Sequence, residues 1–410
     1  MPSPKLEKTY DPSSIEDKWY EYWISKDYFS ADPESEKDPY TIVIPPPNVT
    51  GMLTVGHVLN NTIQDILIRK ARMEGKEACW IPGTDHASIA TESKVVAMLE
   101  EQGINKDDLT REQFLEHAWE WKEKYGGIII NQLKKLGCSC DWEKERFTMD
   151  DDYTNSVLSA FVKLYDKGLI YKGHRLVNWC PVSKSAISDE EVIHQEKEGS
   201  LWYFRYPITN SDRFVVVATT RPETMLGDTA VAIHPDDKRY NDLIGTTITL
   251  PLVGRQVPII ADEFVDPEFG TGCVKVTPAH DPNDFAMAER HNLEFINIMN
   301  DDASLNGNVP KEYQGLSREE ARKQVVADIG SKGLLDKIED HVNQIGYSER
   351  GHVPIEFYMS EQWFMKMTDL AIPAIDAVKD GRISFHPQHW TKTYDHWMGN
   401  IKDWCISRQL

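Results

Sequence analysis

An apolar run, a turn carrying three prolines and two glycines, and an amphipathic segment follow one another near the N-terminus and restrict what this chain can become. Tyr40-Thr41-Ile42-Val43-Ile44 predicts a buried parallel strand. After it comes Pro45-Pro46-Pro47-Asn48-Val49-Thr50-Gly51-Met52-Leu53-Thr54-Val55-Gly56-His57. From Val58 to Met73, the apolar residues Ile63, Ile66, Leu67 and Met73 lie among polar ones and predict a helix. Strand, glycine-bearing turn and helix together aim free backbone N–H groups at a phosphate. Gly51 and Gly56 let backbone approach a ligand closely, and His57, at the helix start, can donate to a phosphate oxygen. These residues predict a nucleotide site.

With 410 residues, the chain has room for two or three domains. At 40% hydrophobic and 27% charged it has a globular composition, and no apolar run approaches the roughly 20 residues that span a bilayer. The first residues, Met1-Pro2-Ser3-Pro4-Lys5, lack the apolar core of a signal peptide, so a cytoplasmic location and no membrane partner are expected. Six cysteines are too few for a disulfide scaffold. With 45 basic and 66 acidic residues the net charge is −21, which disfavours nucleic acid unless local basic patches make the contact.

Asp11-Pro12 predicts the start of a helix with Ile15, Trp19, Tyr22 and Trp23 packed along one face. Ala78 to Ile81 reads as a strand, and Arg111–Leu136 and Asp152–Lys167 as helices, the second with Tyr153, Val157, Phe161, Leu164 and Tyr165 on its apolar face. From about Ser200 short β-rich runs follow: Leu201–Ile208, Phe214–Thr220, Thr246–Leu250, Val257–Ile260 and Cys273–Thr277, punctuated as in a small barrel or sandwich. Ser317 with Glu320 predicts a capping box.

The turn at 45–57 resembles the HIGH-type ATP motif of class I aminoacyl-tRNA synthetases, in its valyl form, and Trp80-Ile81-Pro82-Gly83-Thr84-Asp85-His86-Ala87-Ser88-Ile89-Ala90-Thr91 matches a second block of that family. The resemblance implies an α/β fold: a Rossmann-type nucleotide-binding domain interrupted by a β-rich, barrel-like editing insertion. The implied organisation is a helical segment at 1–37, the first half of the nucleotide fold at 38–150, a connective stem at 151–199, the editing domain at 200–342, a return stem at 343–390 and re-entry into the nucleotide fold at 391–410. Activation would join the valine carboxylate to the α-phosphate of ATP with release of pyrophosphate, by positioning and by stabilising charge on that phosphate, with His57 and Thr54 as donors and Gly51 and Gly56 at the ATP. The family usually has histidine where this chain has Thr54. Asp85 would hold the amino group of valine, with Pro45, Pro46 and Asn48 as one wall of its pocket.

A hydrophobic pocket cannot strongly reject an isostere that merely adds a hydroxyl, valine against threonine being the standard illustration, so a second, hydrolytic sieve is expected. Thr219-Thr220-Arg221-Pro222-Glu223-Thr224-Met225-Leu226-Gly227-Asp228-Thr229-Ala230 and Phe269-Gly270-Thr271-Gly272-Cys273-Val274-Lys275-Val276-Thr277-Pro278-Ala279-His280-Asp281-Pro282-Asn283-Asp284 resemble the editing domain of the valyl family. The resemblance assigns Arg221, Thr224, Phe269, Lys275, Thr277, Asp281 and Asp284 to its pocket. The two aspartates would bind the ammonium of a misattached threonine, Thr277 its hydroxyl, Arg221 and Lys275 phosphate or the developing oxyanion, and Phe269 would stack on the terminal adenine. Water is the expected nucleophile.

Relatives with paired Cys-x-x-Cys motifs bind zinc, whereas this chain reads Cys180-Pro181-Val182-Ser183 and Ser348-Glu349-Arg350-Gly351, so no structural zinc and no other metal site is expected. ATP with Mg2+ is the implied co-substrate, and tRNA(Val) and valine are the implied partners of a monomer. No Lys-Met-Ser-Lys-Ser-type loop occurs, and the chain is expected to be the N-terminal half of such an enzyme, unable by itself to aminoacylate. The alternatives are an isoleucyl-type synthetase, a free-standing hydrolase of mischarged tRNA, and a non-catalytic tRNA-binding module.

Overall fold

The computed structural model describes residues 9–410. The chain divides into two compact units, residues 1–163 and 164–410.

In the first unit, α1 (Pro12–Ser25) begins where Asp11 accepts a hydrogen bond from the Ser13 N–H at 3.2 Å, with Pro12 at the first helical position. Its expected apolar face is largely bare, with Ile15, Trp19 and Tyr22 exposed. The helix is held from another side: the Tyr20 hydroxyl donates to the Cys138 carbonyl at 2.7 Å and accepts from Trp142 Nε1 at 2.9 Å. β1 (Pro39–Val43), α2 (Val55–Met73) and β2 (Glu77–Ile81) form a parallel unit with register from Pro39 opposite Glu77 to Val43 opposite Ile81. The helix begins three residues before the predicted Val58, with Thr54 at its N-cap and His57, the third helical residue, accepting from the Thr54 N–H. β1 alternates exposed and half-buried residues and is not the buried strand expected, since its sheet has two strands. α2 turns Ile68 and Ala71 onto that sheet, so Ile63, Ile66, Leu67 and Met73 stay exposed.

β3 (Gly83–Thr84), α3 (Ser88–Glu101), α4 (Arg111–Lys135), β4 (Arg146–Phe147) and α5 (Asp151–Asp166) follow. β3 pairs with β4 so closely that a Cβ on Gly83 would sit 2.5 Å from the Arg146 carbonyl oxygen, and only glycine fits. Thr110 and Gln113 cap α4 reciprocally. Ile44, Ile68, Trp80, Ile129 and Leu133 make the core.

The second unit contains β5 (Ile170–Cys180), β6 (Ser185–Ile187), β7 (Val192–Pro207), β8 (Phe214–Thr219), β9 (Ala230–Ile233), β10 (Thr247–Thr249), β11 (Gln256–Ala261) and β12 (Cys273–Val276). There follow α6 (Pro282–His291), α7 (Arg318–Ser331), β13 (Leu335–Ser348), β14 (Glu356–Met365), α8 (Thr368–Lys379), α9 (Trp390–Gly399) and β15 (Trp404–Cys405). Its sheets run β15-β14-β5-β6, β13-β7-β8 and β10-β11-β9-β12. The five β-rich runs read from the sequence fall in β7, β8, β10, β11 and β12. β9, four fully buried residues at the interior of its sheet, was not among them. The sheets stay open, and no closed barrel forms among the described residues. Sheets of three or four strands are too few to close around a packed interior. The Ser317–Glu320 capping box is formed and opens α7. Phe204, Tyr206, Val217, Leu226, Ile233 and Ile259 are among the residues of the main core.

Candidate functional site

In the first unit the turn between β1 and α2 is pinned from three sides. The Val49 carbonyl accepts from Trp121 Nε1 at 2.7 Å, and the Leu53 N–H donates to Gln132 at 2.9 Å. The Asp85 N–H donates to the Pro47 carbonyl and the Val49 N–H to the Asp85 carbonyl, both at 2.9 Å, which sets Asn48 beside Asp85. His57 Nδ1 accepts from the Thr54 N–H at 3.0 Å and lies 2.8 Å from the Thr54 hydroxyl. An Nδ1 that accepts carries no proton, so the ring is the Nε2–H tautomer and its outward nitrogen is a donor. The Thr54 hydroxyl is thereby spent on orienting His57. Asp85 Oδ1 accepts from the Ala87 N–H at 2.9 Å and the Thr148 hydroxyl at 3.2 Å, and its second oxygen has no hydrogen-bond partner among the described residues. Pro45 and Pro46 are exposed.

Gly51 has φ 156°, which side chains rarely adopt, whereas an added Cβ at Gly56 would meet only Thr54 Oγ1 at 3.6 Å. The fold itself therefore demands glycine at 51 but not at 56.

In the second unit β12, the short 3-10 turn Pro222–Gly227 and the N-terminus of α6 converge. Lys275, 9% exposed, donates to the Thr224 hydroxyl at 2.9 Å, to Asp228 at 3.3 Å and to the Thr277 hydroxyl. All three of its N–H groups are occupied inside the protein. The Thr277 hydroxyl donates to Asp228 at 2.6 Å, and the fully buried Tyr206 donates to the other oxygen of Asp228 at 2.7 Å. Thr277 is 1% exposed, so its hydroxyl faces the interior. Asp281 caps α6, accepting from the Asn283 N–H at 2.8 Å and the Asp284 N–H at 3.2 Å. Asp284 Oδ2 accepts from the Thr277 N–H at 2.7 Å, while its Oδ1 accepts nothing among the described residues. Burial, and after it the Asp281 charge, push the Asp284 carboxyl up to about 7. Burial likewise raises the Asp228 carboxyl, with Lys275 opposing it.

Arg221 is held by the His280 carbonyl at 3.0 Å and by Glu356. Arg318 reaches the other oxygen of Glu356 at 2.6 Å, and Arg322 grips the fully buried Glu223 at 2.7 and 2.8 Å. Burial alone would raise Glu223, but Arg322 outweighs it and the carboxyl lies below its ordinary value. His280 accepts from the Ile298 N–H at Nε2 and faces the Phe357 carbonyl with Nδ1, and burial holds it neutral with a pKa down to about 3.

Thr224, Lys275, Thr277, Asp281 and Asp284 are thus brought together, with Arg221 joined through its carbonyl to the Thr224 hydroxyl at 2.9 Å. Phe269 stands outside this cluster, 68% exposed on its loop. Sequence reasoning passed over Tyr206, Asp228 and Glu356. Asp228 stood inside a quoted motif, but nothing in the pattern marks a lone carboxylate as buried.

The turns at 180–183 and 348–351 lie against one another, and a Cβ on Gly351 would be 2.5 Å from Cys180 Sγ. Cys180 is the single thiol there, and no group of three or more His, Cys, Asp or Glu suited to a metal occurs among the described residues. No helix among them is long and apolar enough to cross a membrane.

The model for class I tRNA synthetases (I, L, M and V) matches residues 18–410, and the chain belongs to that family. Within it, the chain is 56% identical over 407 residues to the valine–tRNA ligase of Syntrophotalea carbinolica, covering 99% of this chain and 45% of that protein. It is 55% identical over 401 residues to the enzyme of the same name from Christiangramia forsetii, covering 98% and 46%. The one from Geobacter sulfurreducens is 54% identical over 411 residues, covering 100% and 46%. The chain spans about half the length of these curated relatives. A solved LeuRS in ternary complex with tRNA and LeuAMS, from Agrobacterium radiobacter K84, aligns over 85% of this chain and 49% of its own at TM-score 0.41 and 20% identity, too loose a match to bear on the fold.

Proposed function

We propose that this chain carries the valine-activating and threonyl-tRNA-editing parts of a valine–tRNA ligase. The observation that carries the editing reading is Asp284: a buried carboxylate at a helix N-terminus with one oxygen fixed by the Thr277 N–H and the other without a partner among the described residues. That is the acceptor an ammonium needs, and the 54–56% identity to valine–tRNA ligases supports threonine as the ammonium's owner. Water would add to the ester carbonyl, and the ribose oxygen of the terminal adenosine would leave with a proton, giving free threonine and intact tRNA. Lys275, whose three protons are occupied, holds Thr224 and Thr277 in place. Arg221 braces the turn through Glu356, and Phe269 offers an exposed face for a base.

In the first unit the Nε2–H of His57 would donate to ATP, and Mg2+ would arrive on the triphosphate as part of that substrate. Glycine at 56 is weaker than alanine within a helix by roughly 0.5–1 kcal/mol and is not needed by the chain's own packing. Close approach of a phosphate accounts for it. The free oxygen of Asp85 would take the ammonium of valine beside Asn48, with Pro45 and Pro46 as rigid wall. The Rossmann-type fold, the domain limits given above, a cytoplasmic location and a monomeric state complete the proposal.

The test is release of amino acid from threonyl-tRNA(Val) and from valyl-tRNA(Val) by this chain and by Asp284→Ala. Threonine release that exceeds valine release and disappears in the variant is expected. Equal release of both, or none, would overturn the reading.

A further inference from the structure

Thr277 joins two carboxylates through different atoms. Its hydroxyl is held by Asp228 at 2.6 Å and by Lys275, while its backbone N–H, at 2.7 Å, is the sole hydrogen bond to the side chain of Asp284 among the described residues. Behind it Asp228 is fully buried and is itself fixed by the Tyr206 hydroxyl, also fully buried, at 2.7 Å. Asp228 thus accepts from Tyr206, Thr277 and Lys275 at once, the first at one oxygen and the other two at the second. Neither Asp228 nor Tyr206 can touch a ligand, because neither has exposed surface. What they determine is where the Thr277 peptide lies, and so which oxygen of Asp284 is left free.

We propose that Asp228, braced by Tyr206, is a positioning residue for the ammonium-binding carboxylate of Asp284, acting through Thr277. The inference rests on the hydrolytic reading given above and adds the group that aims its key side chain. A single N–H on Oδ2 leaves Asp284 one well-defined acceptor, Oδ1, in place of two interchangeable ones. Slack in Thr277 would let the carboxylate rotate about its last bond, and the amino group of a bound aminoacyl ester would lose its partner. Burial of Asp228 places it among the groups whose removal leaves polar atoms stranded, with Lys275 and Tyr206 the first to suffer.

Because the ammonium is held in both ground and transition states, loosening it weakens binding uniformly and shows in KM with little change in kcat. A merely structural role would reduce the folded fraction, lowering apparent kcat and leaving KM alone. The experiment measures hydrolysis of threonyl-tRNA(Val) and of its des-amino counterpart, 3-hydroxybutyryl-tRNA(Val), by the whole chain, by Asp228→Asn and by Tyr206→Phe. For Asp228→Asn the threonyl KM is expected to rise about tenfold, with kcat within about threefold and the des-amino KM within about twofold. Tyr206→Phe, which removes one oxygen and no charge, should move the threonyl KM the same way by about threefold. If Asp228→Asn does not fold, Tyr206→Phe decides alone. An unchanged threonyl KM in the folded variants, or an equal rise for both esters, overturns the proposal and leaves the hydrolytic reading intact. No threonine release by the unaltered chain overturns both.

Discussion

Asp284→Asn should leave the second unit more stable and unable to edit. The native carboxyl is shifted from its ordinary 3.8 up to about 7, chiefly by burial. A raised carboxylate favours folding below the unfolded value and loses that contribution as pH climbs through the folded one, since the folded state holds the extra proton in between. Above pH 7 the charge is carried in both states and, relative to a neutral isostere, costs the fold about 4 kcal/mol. Asparagine keeps an oxygen for the Thr277 N–H but gives up a negative charge in the first turn of α6, a loss of about 0.3–1 kcal/mol. The expected net gain is about 2–4 kcal/mol at pH 8 and under about 1 kcal/mol at pH 4. Hydrogen exchange at the amides of β9 and β12, corrected for intrinsic rates, reads this as an opening free energy of the second unit alone. His280, whose depressed value works in the opposite sense between about 3 and 6.5, is common to both proteins and drops out of the difference. A variant no more stable than the native chain at pH 8, or one stabilised equally at both pH values, would refute the reasoning.

Four other perturbations have defined outcomes. Arg322→Met strips Glu223 of its bidentate partner, leaving Arg221 at 3.7 Å, and should cost about 3–5 kcal/mol in urea unfolding of the second unit. The paired change with Glu223→Gln should recover a large part of that loss. Gly351→Ala drives a Cβ to 2.5 Å from the buried Cys180 Sγ and should destabilise by about 1–3 kcal/mol, seen as a lowered thermal midpoint. Thr54→Ala removes the hydroxyl beside His57 Nδ1 at the start of α2 and should cost the first unit about 0.5–2 kcal/mol by the same measure. His280→Gln should flatten the acid loss of stability between about pH 6.5 and 3, since a neutral side chain no longer has to stay unprotonated when buried.

What could be read from the sequence was whatever local pattern encodes. The caps at Asp11 and at Ser317–Glu320, the helix over 111–135 and five strands of the second unit all come from spacing and end signals within a few residues. Burial was less legible. Strand 40–44 and the stripe Ile63, Ile66 and Leu67 have core composition, yet they stay open because composition records an appetite for partners and not which partners the fold supplies. Whether the β-rich runs make a barrel or a sandwich was illegible for a related reason. Strand count can be guessed from alternation, but whether edges meet depends on lengths and stagger that alternation does not contain. At the candidate site, Asp284 and Lys275 stood in contiguous blocks. The outer braces did not: Tyr206 lies 22 positions from the Asp228 it holds, and Glu356 lies 135 from Arg221.

The most direct test of the account is the structure of this chain bound to a non-hydrolysable, amide-linked threonyl-adenosine. It predicts the threonyl ammonium within hydrogen-bond distance of Asp284 Oδ1, Oδ2 still on the Thr277 N–H, and Lys275 still turned inward to Thr224, Thr277 and Asp228. A ligand whose ammonium lies elsewhere, or a Lys275 swung out to meet it, would contradict the central claim.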